Sequence, residues 1–467
     1  MKIQYRRCAG LDVHKKSISA CIRIRVHGHK VEVLTAEFGT VTRELERLRD
    51  WLKEHKVKPV AMESTGVYWI PVWNVLEQVR YGFELLVVPP QHVRALQGCK
   101  TDRIDCQRIA EFLQYGLLRS SFVPPRPIRQ LRDLTRSRAH LQGDRNRVIN
   151  RIGRLLETVN VKLGSVISNI VGASGMAILQ ALARGVGDPE KLAGYKVATL
   201  KCSDEELARA LEGRFDDHFR WLLRDLLDRL TYLDRKLADL EARTRDAIEP
   251  YMPVVRRLCT IPGVDYKTAC AIVAETGVDM SKFPTADHLA SWAGLCPGNN
   301  ESAGKRFSGR TRKGDRYLRR LLIQNAWAVA HKKDCGLTAV FYKLAGKRGP
   351  KKAAMAVAHK ILVIAYYIIR DGVEYKDPGG DYLDRQDPER TAKRLLARLE
   401  RIGFPVDPAL RASMGKGRGK GKRARPPIPV EQAGGCRWCA NRGITCIHAR
   451  NQKRAGESGA SDSPRSA

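Results

Sequence analysis

The chain has 467 residues and a formal net charge of +34, with 43% hydrophobic and 29% charged residues. That length holds two or three domains with cores of their own, and the hydrophobic share excludes a chain disordered throughout. So large an excess of one sign repels itself when compact, so a polyanionic partner is expected, nucleic acid before a membrane surface.

At the N-terminus, MKIQYRRCAGLDVHKK has no apolar signal core. AGLDVH and SISACIRIRV read as paired strands around a polar turn, and KVEVLTAEF as a third. TRELERLRDWLKEHK has helical spacing, KPVAMEST is a short strand ending in polar residues, and WIPVWNVLEQV is again helical. FELLVVPP is a buried strand closed by prolines, and TDRIDCQRIAEFLQYGL is a helix opened by Thr101. The expectation is an α/β domain over 1–125 with a mixed sheet.

Residues 126–250 read as helical. Arg129, Arg132 and Arg136, then Arg147, Arg151 and Arg154, recur at steps of three and four, a basic stripe suited to nucleic acid. Phe219, Leu223, Leu226, Leu230, Leu233, Leu237 and Leu240 make a heptad seam. A coiled coil joining two subunits and a buried helix in a bundle both satisfy it. Residues 251–376 form a further unit, mostly helical. Its Pro262-Gly263 turn before an apolar helix fits a helix–hairpin–helix, whose backbone N–H groups can meet phosphate. The apolar run ILVIAYYIIR at 361–370 is too short to span a bilayer, so no membrane association is expected. The nine cysteines from Cys8 to Cys335 read as reduced core residues of a cytoplasmic protein. Residues 377–467 turn to Gly, Pro, Lys and Arg. GKGRGKGKRARPP at 415–427 is a basic linker that adds sequence-independent nucleic-acid affinity.

Asp12 lies on the first strand, Glu63 ends the VAME strand, and Asp102 and Asp105 open a helix one turn apart. If those strands are neighbours, four carboxylates converge at one sheet edge. Like charges so close require a cation, and oxygen ligands favour Mg²⁺. The alternative for Asp102 and Asp105 is plain helix N-terminal stabilisation.

Residues 299–314, NNESAGKRFSGRTRKG, gather hydroxyls, glycines and cations. A phosphate-binding P-loop is excluded: five residues rather than four separate Gly298 from Gly304-Lys305, and Arg306 stands where Ser or Thr is required. A basic loop or the seat of a nucleophile, Ser302 or Ser308, remains. Lys305, Arg306, Arg310, Arg312 and Lys313 would meet phosphate charge in either case. In the tail, Cys436, Cys439, Cys446 and His448 have the ligand types for a structural Zn²⁺.

GLDVHKK, MESTGVYW, KTDRIDCQRIAEFL and YLRRLLIQNAWAV, in that order, resemble the transposases of the insertion-sequence 110/1111 family. The resemblance implies a ribonuclease-H-type (Holliday-junction-resolvase-like) N-terminal domain with a DEDD tetrad at Asp12, Glu63, Asp102 and Asp105. A helical, coiled-coil segment and a C-terminal transposase domain that brings a serine to the metal site would follow. AGLCPGNNESAGK…KGDRYLRR puts Ser302 at the family's nucleophile position, with Ala303 where a glycine is usual. The resemblance further implies oligomers, a bacterial or archaeal nucleoid setting, and an element-encoded structured RNA that pairs with donor and target DNA. Two rival readings stand beside it: a metal-dependent, structure-specific nuclease in which Ser302 only packs, and a non-catalytic nucleic-acid-binding protein.

Overall fold

Alternation along Arg7–Val13 (β1) sends Ala9, Leu11 and Val13 to one face of a sheet and Cys8, Gly10 and Asp12 to the other. The computed structural model describes residues 3–26, 30–64, 66–90, 102–197, 200–298, 300–302, 305–311 and 313–407, with backbone alone at 79, 102–104, 300–302 and 305–308. Ser17–Arg25 (β2) and Val31–Gly39 (β3) follow as an antiparallel meander, β1 with β2 and β2 with β3. Thr42–Glu54 (α1) buries Leu45, Leu48 and Leu52 against the Leu11 face, and Trp69–Leu76 (α2) adds Val72 and Leu76 to the same core. Pro59–Glu63 (β4) and Glu84–Val88 (β5) then join in parallel, giving the order β3-β2-β1-β4-β5. This is the mixed sheet expected from the alternation of strands and helices over 1–125.

The other face is covered by Asp102–Gln114 (α3), which packs Cys106, Ile109, Ala110 and Leu113 on β1, β2 and β4. Gly10 permits this approach: a Cβ there would lie 2.3 Å from the Ala110 nitrogen and 2.5 Å from the Cys106 oxygen.

Arg126–Thr158 (α4) is 33 residues long, about 50 Å at 1.5 Å per residue. Four short helices follow, Leu163–Val166, Ala173–Arg184, Pro189–Ala193 and Asp204–Leu211 (α5 to α8). Asp217–Ile248 (α9), 32 residues, then returns along α4. The pairs Arg138–Glu241 and Arg145–Asp234 fix an antiparallel register. The heptad seam is filled from within the chain: Leu223 and Leu230 pack in one core with Val148, Ile152 and Leu156 of α4 and with Ile178 and Leu182 of α6. Leu227 is buried as well, so the apolar stripe is wider than a two-stranded seam and suits a bundle helix.

Met252–Leu258 (α10), Tyr266–Thr276 (α11) and Ala286–Trp292 (α12) come next. Asp265 caps α11 through the Thr268 N–H at 2.8 Å. The Pro262-Gly263 turn does not open to solvent as the phosphate-binding reading needs. Pro262 and Val264 are buried, and a Cβ at Gly263 (φ +83°) would lie 2.4 Å from Val329 Cγ2. Asn300–Ser302 (β6) and Lys305–Ser308 (β7) form a hairpin, followed by Arg316–Ala330 (α13), Gly336–Arg348 (α14) and Pro350–Asp371 (α15). The apolar run at 361–370 is the second half of α15. By length and composition α15 could cross a membrane, but Val357, Ile361, Leu362 and Ala365 are buried, and it packs on α13 and α14 as an interior helix. Residues 1–383 are one compact unit and 384–467 a second, whose described part carries the helix Pro388–Arg401 (α16).

Candidate active site

Parallel pairing of β1 with β4 sets Leu11 beside Met62. Asp12 and Glu63 are each one residue further along, on adjacent strands whose usual separation is about 4.8 Å. Both have the parity of the α3 face, since Gly10 and Ala61 precede them by two. Asp12 is 5% exposed, and its Oδ2 lies 3.1 Å from His14 Nε2. Asp105 lies one turn into α3, the helix packed on that face. The Cys106 thiol on α3 is pushed up to about 11 by burial first, then by the negative charge of Asp12 and, less, of its neighbour Asp105. The close approach at Gly10 is what draws α3 onto this edge.

Asp102 is the first residue of α3; its side chain, like Thr101, lies outside the described residues. Among the described residues, no three acidic, His or Cys side chains stand together as a ready-made metal cage. The donors on this edge are carboxylate oxygens, a set that fits a hard divalent cation such as Mg²⁺ better than a softer one. His14 was not singled out in the sequence. Its signal was the i, i+2 spacing in LDVH, which puts it on the same side of the strand as Asp12.

Within the stretch from 299 to 314, β6 and β7 pair as a hairpin. Ser302 pairs with Lys305 immediately before residues 303–304, so it stands at the tip, whereas Ser308 pairs with Asn300 toward the root. The two serines that chemistry alone left open thus occupy different places. The root is held by the Gly298 N–H donating to the Arg310 carbonyl at 2.9 Å and by a Pro297–Thr311 bridge. Just beyond, Gly314 lies so close to Gly294 that a Cβ would be 2.3 Å from the Gly294 nitrogen. Asp315 then caps α13, accepting from the Tyr317 and Leu318 N–H groups at 2.9 Å each. Arg310 and Lys313 are exposed; the side chains of Lys305, Arg306 and Arg312 are outside the described set.

The basic stripe of α4 divides in two. Arg129, Arg132 and Arg136 were expected on nucleic acid, but they point inward. Arg129 donates to Glu77 Oε1 (2.5 Å), the Asn74 side chain and the Pro124 carbonyl. Arg132 and Arg136 both embrace Glu275 of α11, at 2.9 and 2.7 Å, and Arg136 also reaches Asp315 at 2.9 Å. Periodicity gave the face correctly but not its partners. Arg147, Arg151 and Arg154, two or more turns further along, are exposed, with Arg147 paired to Asp144.

Glu275 is 2% exposed. Burial pushes its carboxyl up to about 7, and Asp315 adds to this, while the two guanidinium groups oppose it. It was missed because TACAIVAET reads simply as a core helix. Beside it a cleft of about 370 Å³ opens between α4, α9, α11 and α13, lined by Arg138, His140, Lys267, Tyr317 and Arg320 among others. The candidate zinc ligands Cys436, Cys439, Cys446 and His448 lie outside the described residues.

Residues 9–161 match a family profile described as a transposase, of the DEDD IS110 type, and residues 255–343 match one described as the transposase IS116/IS110/IS902 family. A probable family 20 transposase of Pseudomonas aeruginosa is 27% identical over 382 residues, 79% of this chain and 98% of that protein. The transposase for insertion sequence element IS1111A of Coxiella burnetii is 27% identical over 357 residues, 73% of this chain and 86% of that one. Among solved structures, T. thermophilus RuvC in complex with a Holliday junction substrate aligns with 25% of this chain and 100% of that chain, at 12% identity and a TM-score of 0.20.

Proposed function

The chain belongs to the IS116/IS110/IS902 family of transposases, and from that premise we propose that it exchanges DNA strands through a composite site. The acids of the sheet edge form one half and Ser302 at the hairpin tip the other. One observation carries the reading: Asp12 and Glu63 stand near the ends of adjacent parallel strands, and the Gly10 contact packs α3, the helix that bears Asp105, on the same face of the sheet.

Asp12, Glu63, Asp102 and Asp105 would hold Mg²⁺. When bound, the ion screens phosphate charge and lowers the pKa of a nearby oxygen. The chain's own groups do the rest. A serine hydroxyl needs a base, and a carboxylate of the acid edge takes the Ser302 proton, directly or through water. The Oγ–P bond forms as the bond from phosphorus to one sugar oxygen breaks, and that oxygen leaves with a proton. A sugar hydroxyl of another strand reverses the step, so a phosphodiester is lost and regained without ATP. Lys305, Arg306 and Arg310 stabilise the charge that builds on the phosphoryl oxygens. Whether serine and acids belong to one subunit or two of an oligomer, the chemistry is the same.

Arg147, Arg151, Arg154 and the basic tail hold nucleic acid. The net charge of +34 and the family likeness support a structured RNA among the partners. The tail cysteines with His448 would hold a structural Zn²⁺, and the setting is the bacterial or archaeal cytoplasm.

The test combines pure protein, Mg²⁺, element-derived RNA and labelled DNA, followed by denaturation. A protein–DNA adduct that persists, is absent in Ser302→Ala and is absent in Asp12→Asn is the expected result. The ribonuclease-H-type sheet favours one second reading, hydrolysis by water. Under it, Ser302→Ala would cut DNA at full rate and no adduct would form with either protein.

A further inference from the structure

One face of α4 touches both halves of the proposed site. Arg129 grips Glu77, which is also held by Trp73 Nε1 at 2.9 Å, and so binds the acid-bearing domain. Seven residues on, roughly 10 Å along the helix, Arg136 lies at the root of the serine hairpin. Its Nε and one terminal nitrogen take both oxygens of Glu275, at 2.7 and 2.8 Å. That same nitrogen reaches Asp315 Oδ2 at 2.9 Å. Its plane also stacks 4.6 Å from the centre of the Tyr317 ring. Arg132 completes the clasp, donating to the Ala274 and Glu275 carbonyls at 3.2 and 2.6 Å. Asp315 in turn caps α13 with its other oxygen and follows Gly314, where the strand leaving the hairpin crosses Gly294.

We propose that Arg136 and Asp315 are positioning residues: their ion pair locks the root of the Ser302 hairpin to the helix that carries the acid domain, and so sets where the serine hydroxyl stands. The inference rests on the serine reading above. A solvent-facing arginine stripe would not require a buried glutamate, whereas a clasp does. Glu275 at 2% exposure is far too costly to bury unless two guanidinium groups meet it. A lysine cannot replace the fork, because a single ammonium does not satisfy two carboxylates in fixed planes. Among the described residues the chain ends of the short hairpin are pinned at 294–298 and 310–315, and the clasp ties the second of these to α4.

Asp315→Asn isolates the idea, since asparagine caps a helix as well as aspartate does but surrenders the charge-assisted bond to Arg136. In the full-length protein, single-turnover adduct formation at saturating DNA should fall at least about tenfold, because an ångström of misplacement is worth up to about a hundredfold. DNA affinity should stay within about twofold and the melting temperature within a few degrees. Arg136→Lys should show the same loss, and the double variant no more than either single one, the signature of a shared pair. Full-rate adduct formation by a folded Asp315→Asn protein, or losses that multiply in the double variant, would overturn the clasp alone. If the unaltered protein cuts DNA with no adduct, the serine reading falls and the clasp with it.

Discussion

Gly10→Ala places one methyl group where there is no room for it. The added carbon would lie 2.3 Å from the Ala110 nitrogen, 2.5 Å from the Cys106 oxygen and 2.9 Å from the Ile109 carbonyl carbon, all backbone atoms of α3. Ordinary contact begins near 3.4 Å, so α3 must retreat by about 1 Å, and β1, at the centre of the sheet, cannot retreat instead. Overpacking of this kind costs about 1–3 kcal/mol. The functional loss should be larger than the stability loss, because the displaced helix carries Asp105. A shift of that size is worth about a hundredfold in rate. Denaturant unfolding with single-turnover DNA cleavage on the same preparation measures both. Gly153→Ala on α4 is the control: a Cβ there meets nothing within 4 Å, and the substitution should stabilise by about 0.5–1 kcal/mol. A Gly10→Ala protein that unfolds and cleaves like the native one would refute the claim that α3 is held against Asp12 by that glycine.

The buried thiols give a second expectation. Burial pushes Cys8 and Cys21 up to about 12 and Cys106 to about 11, against an ordinary value of 9.0. The folded state favours their neutral form, so their contribution to stability is complete below pH 9 and is lost as pH climbs toward 11–12. Iodoacetamide at pH 9 should therefore modify exposed Cys259 and spare these three, as read by peptide mass spectrometry, and early labelling of Cys106 would contradict the packing of α3. For nucleic acid, Arg151→Glu with Arg154→Glu should weaken binding and lower the salt slope by about two. A slope unchanged in fluorescence anisotropy would remove the far end of α4 from the interface.

Strand assignments were legible because β1, β2 and β4 alternate or run apolar between turn residues, and the parity of Asp12 and Glu63 followed from that alone. The packing of the Asp105-bearing helix on the Asp12 face was not, since it depends on Gly10, whose glycine has no reading in sequence apart from the helix packed on it. Arginine spacing at 129, 132 and 136 revealed a face but not its direction. Glu77 decided that for Arg129, and the buried Glu275, 139 residues beyond Arg136, decided it for the other two; Glu275 looks unremarkable inside an apolar helix. The hairpin at 300–308 was hidden by its composition: Gly, Ser and Asn read as loop, and strand pairing there depends on anchors at 294–298 and 310–315. The heptad seam was correct in phase, yet one more leucine, Leu227, turned a possible partner surface into an internal one.

The long antiparallel pairing of α4 with α9 also limits how the gene can drift. With 3.6 residues per turn, inserting a single codon into either helix rotates everything beyond it by about 100°. Leu223 and Leu230 would then swing out of their core, and Arg138 and Arg145 would lose Glu241 and Asp234 together. Indels here should survive only in blocks of seven, matched in both helices, whereas between 159 and 216, where Ile178, Leu182 and Leu207 sit in the same core, length changes should be confined to the exposed turns.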